Sequence, residues 1–587
     1  TLCALFGIFL LSSSLLIYLS SFLYKAFIFK FSMLKLMSYG LSVILCIGVV
    51  YTFVLVGDYG AMDNFILQKL SFANAELRVQ KYLYAFLTFI GSVGFVFFMG
   101  KRLKPIMGVL SVSLVVLSGV SLYKILNHSS EYKLDIPVIS DKPYEKELFT
   151  YAKYEKNIVL FVLDMFSGSH LHAILEEFPE LKERFEGFIF FDNTLSTTNS
   201  TIHSIGSIIG GEHYAVYNMN AREDNLRESI TQAFGLIGDS FVKSGYDVSY
   251  FMSVAPKPPQ YIQAYNQNIF VVQNLQTYTP YFFSSKPDLA QSFAELLGQA
   301  RHSNISLLLS VGLFRFSPEL FFRPRIYNNG FWLIGDKQMR SVMEAIAFAS
   351  SLYAFTHLHH IDPQSKPTFK YLHTLMTHLP FDLYYDNGKC SFFREQSVWE
   401  EYPHTQKMQY MKEEHIRDYY KHYDTEVCAL VYLADYVQWL KDNDIYDNTQ
   451  IFILSDHSGH DSIGIPEMIV QNEGRPDALF LFKDFESRGK LQVNSDLMTN
   501  YDAPSIFCES LSNPCPYVGS NILKAYPEHR AVISTIPTHW DIERHKSNQW
   551  ILNAIYEVKG NIYEAKNWRD ITQEVADGKM RIDNKPH

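Results

Sequence analysis

A bundle of membrane-spanning helices, followed by a large α/β domain with a mainly parallel central sheet, is the architecture the sequence predicts. Three observations lead there. Four apolar runs succeed one another within residues 1–127. Beyond about residue 150, short apolar runs alternate with helical patterns, as in a parallel sheet covered by helices. Three of those later runs end in acidic or imidazole side chains, where an open α/β sheet places its ligand site.

The N-terminal runs lie at about 2–23, 37–57, 82–99 and 106–127. A bilayer-spanning helix needs ~20 mainly apolar residues, so each qualifies, the third being the shortest. Loop 24–36 carries Lys25, Lys30 and Lys35 without an acid, and loop 100–105 carries Lys101, Arg102 and Lys104. Loop 58–81 is mixed, with Asp58, Asp63 and Glu76 beside Lys69, Arg78 and Lys81. The positive-inside rule then places the first and third loops in the cytoplasm and everything after residue 127 outside. Thr1 also falls outside, in mid-helix. An odd number of upstream helices, most simply one, is expected to precede it. Residues 128–150 read as a polar linker, and 151–587 as the extramembrane domain.

Composition narrows the classes. With 15% aromatic residues the chain has ample core material, which excludes disorder as its dominant state. A balance of 51 Lys+Arg against 61 Asp+Glu gives a net charge of -10, which argues against nucleic acid as a partner. Six cysteines do not make a disulfide scaffold. Cys3 and Cys46 lie in apolar runs, and Cys390 and Cys428 stand apart in the polar part. Cys508 and Cys515 flank a Ser-Asn-Pro turn, a spacing that admits a local disulfide in an oxidising compartment.

The strand ends carry the chemistry. NIVLFVL (157–163) stops at Asp164, QIFIL (450–454) stops at Ser455-Asp456-His457, and FKYLHTLM (369–376) runs into Thr377-His378-Leu379-Pro380. Alone, an Asp after a strand is commonly a helix cap or turn residue. The coincidence of three such endings in one domain carries the other reading. Asp164, Asp456, His457 and His378 would meet at one sheet edge, a donor set suited to a divalent ion such as zinc or manganese.

Between the first and the later strands lies FDNTLSTTNSTIHSIGSIIGG (191–211), after a short strand EGFIFF. Hydroxyl residues crowd 194–204 and a helix opens behind them. Such residues favour caps and turns. A hydroxyl nucleophile there would also gain from the helix N-terminus, which favours an alkoxide and an incoming phosphate.

In order, VLFVLDMF, TTNSTIHSIGS, YLHTLMTHLP and ILSDHSGH resemble the alkaline phosphatase superfamily in its sulfatase-like membrane branch. Within that branch the chain is similar to bacterial phosphoethanolamine and phosphoglycerol transferases that modify lipopolysaccharide, glucans or teichoic acid. The resemblance spans about 150–520 and implies a sulfatase-like domain outside a bacterial cytoplasmic (inner) membrane, in the periplasm or extracellular space, carried by several transmembrane helices. It implies Asp164, Asp456 and His457 as metal ligands, with Zn2+ or Mn2+ as the ion. Thr201 is implied as nucleophile and further ligand, with Thr197 and Thr198 as alternatives and Ser204 in the family's place three residues on. His378 matches a phosphate-contacting histidine, while His373 is expected to be structural because it lies within the strand. RPDALFLFK (475–483) and TNYDAPSIF (499–507) resemble a closing strand and an Asp-x-Pro helix start.

The implied reaction takes a phospholipid donor. Its head group passes through a phospho-threonine to an envelope glycan or lipid acceptor. Two departures bear on it. Thr201 is followed by Ile202, His203, Ser204 and Ile205, not by the Cys-x-Pro-x-Arg context of formylglycine sulfatases. A further His usual before strand 477–483 is missing, with His460 and Arg475 as candidate substrate-binding substitutes, which leaves the head group open. An ester hydrolase of the same fold and a silent membrane sensor are the alternatives. His213 and the cluster His357-Leu358-His359-His360 read as surface or core histidines, and the tail from about 517 as closing strands and a helix.

Overall fold

The computed structural model describes residues 31–56, 62–63, 66–67, 78–102, 105–106, 146–222, 224–273, 278–291, 310–319, 322–328, 331–332, 337–386, 388–392, 413–509, 511–538 and 549–580. They divide into two compact units. The first draws on Thr1–Pro137 and Ala290–Arg340, the second on Val138–Leu289 and Ser341–His587.

In the first unit, helices α1 (Phe31–Phe53) and α2 (Arg78–Met99) cover the second and third apolar runs. The runs at 2–23 and 106–127 lie outside the described residues. Among the described helices one, over Gln80–Met99, is long and apolar enough to cross a membrane, and Tyr39–Phe53 is shorter. Phe86, Phe97 and Phe98 of α2 are exposed. Segment 290–340, which the sequence reading placed in the extramembrane domain, belongs to this first unit. Arg323 explains part of that. Its fully buried guanidinium donates to the carbonyls of Tyr51 (3.2 Å) and Val56 (2.8 Å) at the open end of α1, and to those of Phe314 and Ser317. A helix C-terminus leaves such carbonyls without intrahelical partners.

The second unit is built on eight strands: β1 (Asn157–Leu163), β2 (Phe188–Phe191), β3 (Asp247–Phe251), β4 (Ile269–Val272), β5 (Thr368–Thr374), β6 (Thr449–Leu454), β7 (Phe480–Lys483) and β8 (Gln492–Asn494). Their order is β8-β2-β7-β6-β1-β5-β3-β4, and every adjacent pair is parallel except the two that involve β7. Continuous apolar sequence is what a strand covered on both faces requires, and β1, β5 and β6 are buried throughout.

Helices α3 (Gly168–Glu177), α4 (Thr201–Gly210), α5 (Leu226–Lys243), α6 (Lys337–His357) and α7 (Glu413–Asp442) accompany the sheet. Ile158, Leu160 and Val162 of β1 join one core with Ile205, Ile208 and Ile209 of α4 and Ile230, Phe234, Ile237 and Phe241 of α5. Those helical positions recur at three- and four-residue spacing, the apolar stripe of a helix lying on a sheet. On the opposite face Phe161 meets Tyr436 of α7, and Phe251 meets Phe355 of α6. Gly238 lets α5 approach closely, since a Cβ there would stand 2.6 Å from Ile269 Cδ1.

An antiparallel sheet of Val532–Pro537, Leu552–Val558 and Trp568–Asp570, followed by a short helix at Thr572–Ala576, closes the unit as the tail sequence suggests. Cys508 and Cys515 are disulfide-bonded, and so are Cys390 and Cys428. The second bond was not foreseen: its cysteines are 38 residues apart and Cys428 sits mid-helix.

Lys370 of β5 is fully buried, donating to the Glu147 carbonyl at 3.0 Å. Burial, only partly offset by Asp247 and Glu147, lowers its pKa to about 7. Between that value and 10.5 the unfolded chain holds more of this proton, so stability rises with pH across the window. Lys370→Met is expected to remove this slope, which cannot exceed about 1.4 kcal/mol per pH unit for one proton. Denaturant melts at pH 6.5, 8 and 9.5 check it.

Candidate active site

Register brings the strand ends level. Thr374 of β5 pairs with Leu163 of β1 on one side, and Leu454 of β6 pairs with Val162 on the other. All three run the same way, so Asp164, the 455–457 turn and the 375–378 turn emerge at one edge. This is the point where the strand order reverses about β1, the crevice position for ligands in open α/β sheets.

Asp164 is fully buried. Its N–H donates to Thr374 O at 3.1 Å, and its carbonyl accepts from Thr377 Oγ1 at 2.6 Å. Met165, at φ 68°, turns the chain sharply and donates its N–H to Asp456 Oδ1 at 3.0 Å. Gly168 is required just beyond, because a Cβ would fall 2.5 Å from the Ala478 carbonyl.

Thr201 opens α4, preceded by Ser200 in extended conformation. The Thr201 hydroxyl donates to Asp164 Oδ2 at 2.9 Å. Asp456, also fully buried, accepts at Oδ1 from the His457 N–H (2.9 Å). Its carbonyl accepts from Ser196 Oγ (2.6 Å) and Asn500 Nδ2 (2.8 Å). His457 Nδ1 donates to Ser458 O at 2.8 Å, since a carbonyl only accepts. That bond fixes Nδ1 and leaves Nε2 as the ring nitrogen turned to Asp456 Oδ2, the arrangement of a ligating histidine.

A divalent ion fits these residues. Single donor atoms of Asp164, Asp456 and His457 lie within 4.8 Å of one another. Among the described residues, Asp164 Oδ1 and Asp456 Oδ2 are buried oxygens with no hydrogen-bond partner. Orphaned buried carboxylate oxygens are costly unless a cation satisfies them. Two such oxygens and an imidazole nitrogen suit zinc or manganese.

Burial pushes the Asp164 carboxyl up, but His378, His373 and His457 outweigh it and hold the group well below the usual carboxylate range. His378 is half-buried, with Nδ1 donating to Leu379 O at 2.8 Å. Burial lowers the Arg475 guanidinium, with Asp456, Asp164 and Asp461 opposing, so this cation stands in the field of the ligand carboxylates. Its Nη2 meets Nε2 of the exposed His460.

The structure thus brings Asp164, Thr201, Asp456 and His457 together, with His378 and Arg475 in the same electrostatic field. Ser204 is instead fully buried in α4, its hydroxyl donating to Ser200 O at 3.1 Å, which serves the helix rather than an open site. Thr197 and Thr198 are buried as well, and the Thr197 carbonyl pairs with Thr535. His213 stacks on Tyr517, and His359 packs among Tyr151, Tyr436 and Trp439.

His373 lies within β5 as expected, yet its Nε2 stands 3.3 Å from Asp164 Oδ2. Alternation along the strand shows that His373 points to a defined face, but no local pattern shows that Asp164 meets it. Ser196, Thr377 and Asn500 were missed for the same reason, since they act on backbone carbonyls. His373→Gln is expected to weaken divalent-metal affinity by ~10–100-fold, the usual effect of losing a partner that orients a ligand. Isothermal titration with manganese or zinc measures it, and an unchanged affinity would reduce His373 to a packing residue.

The sulfatase family model matches residues 156–464. No curated protein matches the chain. Among solved structures it is similar to a lipoteichoic acid synthase, LtaP, from Listeria monocytogenes (11% identity, 75% of this chain and 92% of that one, TM-score 0.32). It is also similar to a protein in the alkaline phosphatase superfamily from Vibrio parahaemolyticus (13%, 75% and 90%, TM-score 0.36). A phosphonate monoester hydrolase from Silicibacter pomeroyi is a third (14%, 72% and 93%, TM-score 0.35). The matched span contains β1, the Thr201 helix, β5 and the Asp456-His457 turn, and on that match the chain belongs to the sulfatase family.

Proposed function

We propose that the chain is a membrane-anchored phosphotransferase, moving a phosphoethanolamine or phosphoglycerol head group from a phospholipid to an envelope glycan or lipid. The observation that carries this reading is the Thr201 hydroxyl, held at 2.9 Å on Asp164 in a site with the donor set of a divalent ion. A threonine nucleophile is at odds with sulfate-ester cleavage through formylglycine, which is formed from Cys or Ser. The apolar helix Gln80–Met99 agrees with a membrane anchor, and the two disulfides agree with an extracytoplasmic, oxidising location. In this reading the protein is a multi-pass protein of a bacterial cytoplasmic membrane with its sulfatase domain outside.

Asp164, Asp456, His457 and Thr201 would hold the ion. When bound, a divalent cation supplies charge neutralisation at the phosphoryl oxygens and a lower hydroxyl pKa. Thr201 Oγ1 passes its proton along the existing hydrogen bond to Asp164 Oδ2 as it forms a bond to the donor phosphorus, and the bond from phosphorus to the diacylglycerol oxygen breaks. His378, with Nδ1 fixed on Leu379 O, is the group to protonate that oxygen from Nε2, a role worth ~10²–10⁴-fold. Diacylglycerol departs and the head group remains on Thr201 as a phosphodiester. An acceptor hydroxyl attacks the same phosphorus and loses its proton to His378, while the bond from phosphorus to Thr201 Oγ1 breaks and that oxygen takes back its proton from Asp164 Oδ2. Arg475 supplies positive charge to the phosphate throughout.

The test uses the full chain in detergent with labelled phosphatidylethanolamine or phosphatidylglycerol. Thr201-dependent release of diacylglycerol, with label on an added glycan, is expected. Label released only to water would make the chain a hydrolase, and absence of diacylglycerol would contradict the lipid donor.

A further inference from the structure

Behind the two ligand-bearing turns lies a second cluster that the proposed reaction does not use. His170 opens α3, His422 and Glu426 stand one turn apart on α7, and Asp461 lies in the loop after His457. His170, His422 and Glu426 are fully buried and Asp461 nearly so. Phe381 stacks on the His422 ring at 4.2 Å, and Tyr423 borders His170 at 5.8 Å.

The orientation of the four groups is ordered in two layers. Facing inward, His170 Nδ1 hydrogen-bonds Glu426 Oε2 at 2.5 Å, a contact an ion would replace, and His422 Nε2 stands 3.2 Å from Glu426 Oε1 without a hydrogen bond. Facing outward, His170 Nε2 lies 2.9 Å from the Asp461 carbonyl, and His422 Nδ1 lies 2.7 Å from Asp461 Oδ2. A carbonyl and a carboxylate accept, so the outer nitrogens donate to them. The inner nitrogens converge on one carboxylate. This is how ligating histidines are arranged: one nitrogen on the metal, the other anchored on a carboxylate or carbonyl. Among the described residues, His422 Nε2 and Asp461 Oδ1 are buried without a hydrogen bond. One donor atom each of His170, His422 and Glu426 falls within 4.8 Å of the others.

We propose that His170, His422 and Glu426 bind a second divalent cation, with Asp461 orienting both imidazoles. Two imidazoles and one carboxylate select zinc or a similar borderline ion over magnesium or calcium. Closed in on all sides, the ion has a structural task. Glu426 Oε1 also accepts the Ser167 N–H at 2.8 Å, three residues after Asp164. Asp461 follows Asp456 and His457 by a few residues. An ion on Glu426 therefore ties both metal-ligand turns of the active site to α7.

Zinc content of the full chain, measured by plasma mass spectrometry after zinc loading and removal of free metal, tests this. Wild type is expected to retain two equivalents, Glu426→Gln one, and the double variant Asp456→Asn/His457→Gln one. If Glu426→Gln fails to fold, the double variant decides, because it leaves the cluster intact. Zero zinc in the double variant overturns the proposal and makes the cluster an ion-pair network. One equivalent in wild type and in the double variant, with none in Glu426→Gln, supports it while removing metal from the proposed active site. X-ray absorption of the double variant is expected to show two imidazole ligands, and their absence would contradict the assignment.

Discussion

Thr201→Ala is expected to lower head-group release by ~10³-fold or more, the scale seen when a covalent nucleophile is deleted. Asp164, Asp456 and His457 remain in that variant, so metal should still bind. The residual rate comes from positioning and electrostatics alone, since the hydroxyl that meets Asp164 at 2.9 Å is gone. Thr201→Ser keeps the oxygen and is expected to retain activity. Diacylglycerol release by both variants under matched metal saturation checks the pair. Less than a tenfold loss in Thr201→Ala would place the nucleophile elsewhere.

Asp456→Asn is expected to cost more than about 100-fold in metal affinity and to abolish turnover, since losing a direct ligand, the role proposed for Asp456, costs at least as much as losing its supports. The substitution keeps the shape that receives the Met165 and His457 N–H groups at Oδ1. It removes the charge and replaces Oδ2, the buried oxygen without a partner, with an amide nitrogen or its equivalent. The effect is thus on the ion rather than on packing. At metal concentrations 100 times the dissociation constant, a bound ion stabilises by about 2.7 kcal/mol. Metal-dependent melting of the wild type should therefore shrink by about 2.3 kcal/mol in Asp456→Asn for a 100-fold loss, and by about 2.7 kcal/mol if binding is lost altogether. A variant that melts and turns over like wild type would remove Asp456 from the site.

Much of this was legible because strands reveal themselves by continuous apolar sequence. NIVLFVL became β1 over the same residues, and the Asp164 and Asp456-His457 endings meet at one sheet edge because register holds β6 and β5 level with β1. Thr201 was readable as a hydroxyl at the start of a helix whose isoleucines recur at helical spacing. What escaped depended on contacts between distant segments. His373 meets Asp164 across two strands, Cys428 meets Cys390 across 38 residues, and Glu426 meets His170 from another helix. No local pattern encodes such pairings. Segment 290–340 groups with the first unit for a related reason, since Arg323 binds carbonyls at the end of α1 from a distant stretch of sequence.

A covalent phospho-threonine at Thr201 is read out by intact-protein mass spectrometry. The detergent-solubilised chain and its Thr201→Ala variant would be incubated with manganese or zinc and either phosphatidylethanolamine or phosphatidylglycerol, then quenched before acceptor is added. The expected result is an adduct in the wild type alone, with a mass that identifies the head group and a fragment that places it on Thr201. Metal-loaded wild-type protein that carries no adduct with either lipid, while still consuming it, would contradict the covalent mechanism.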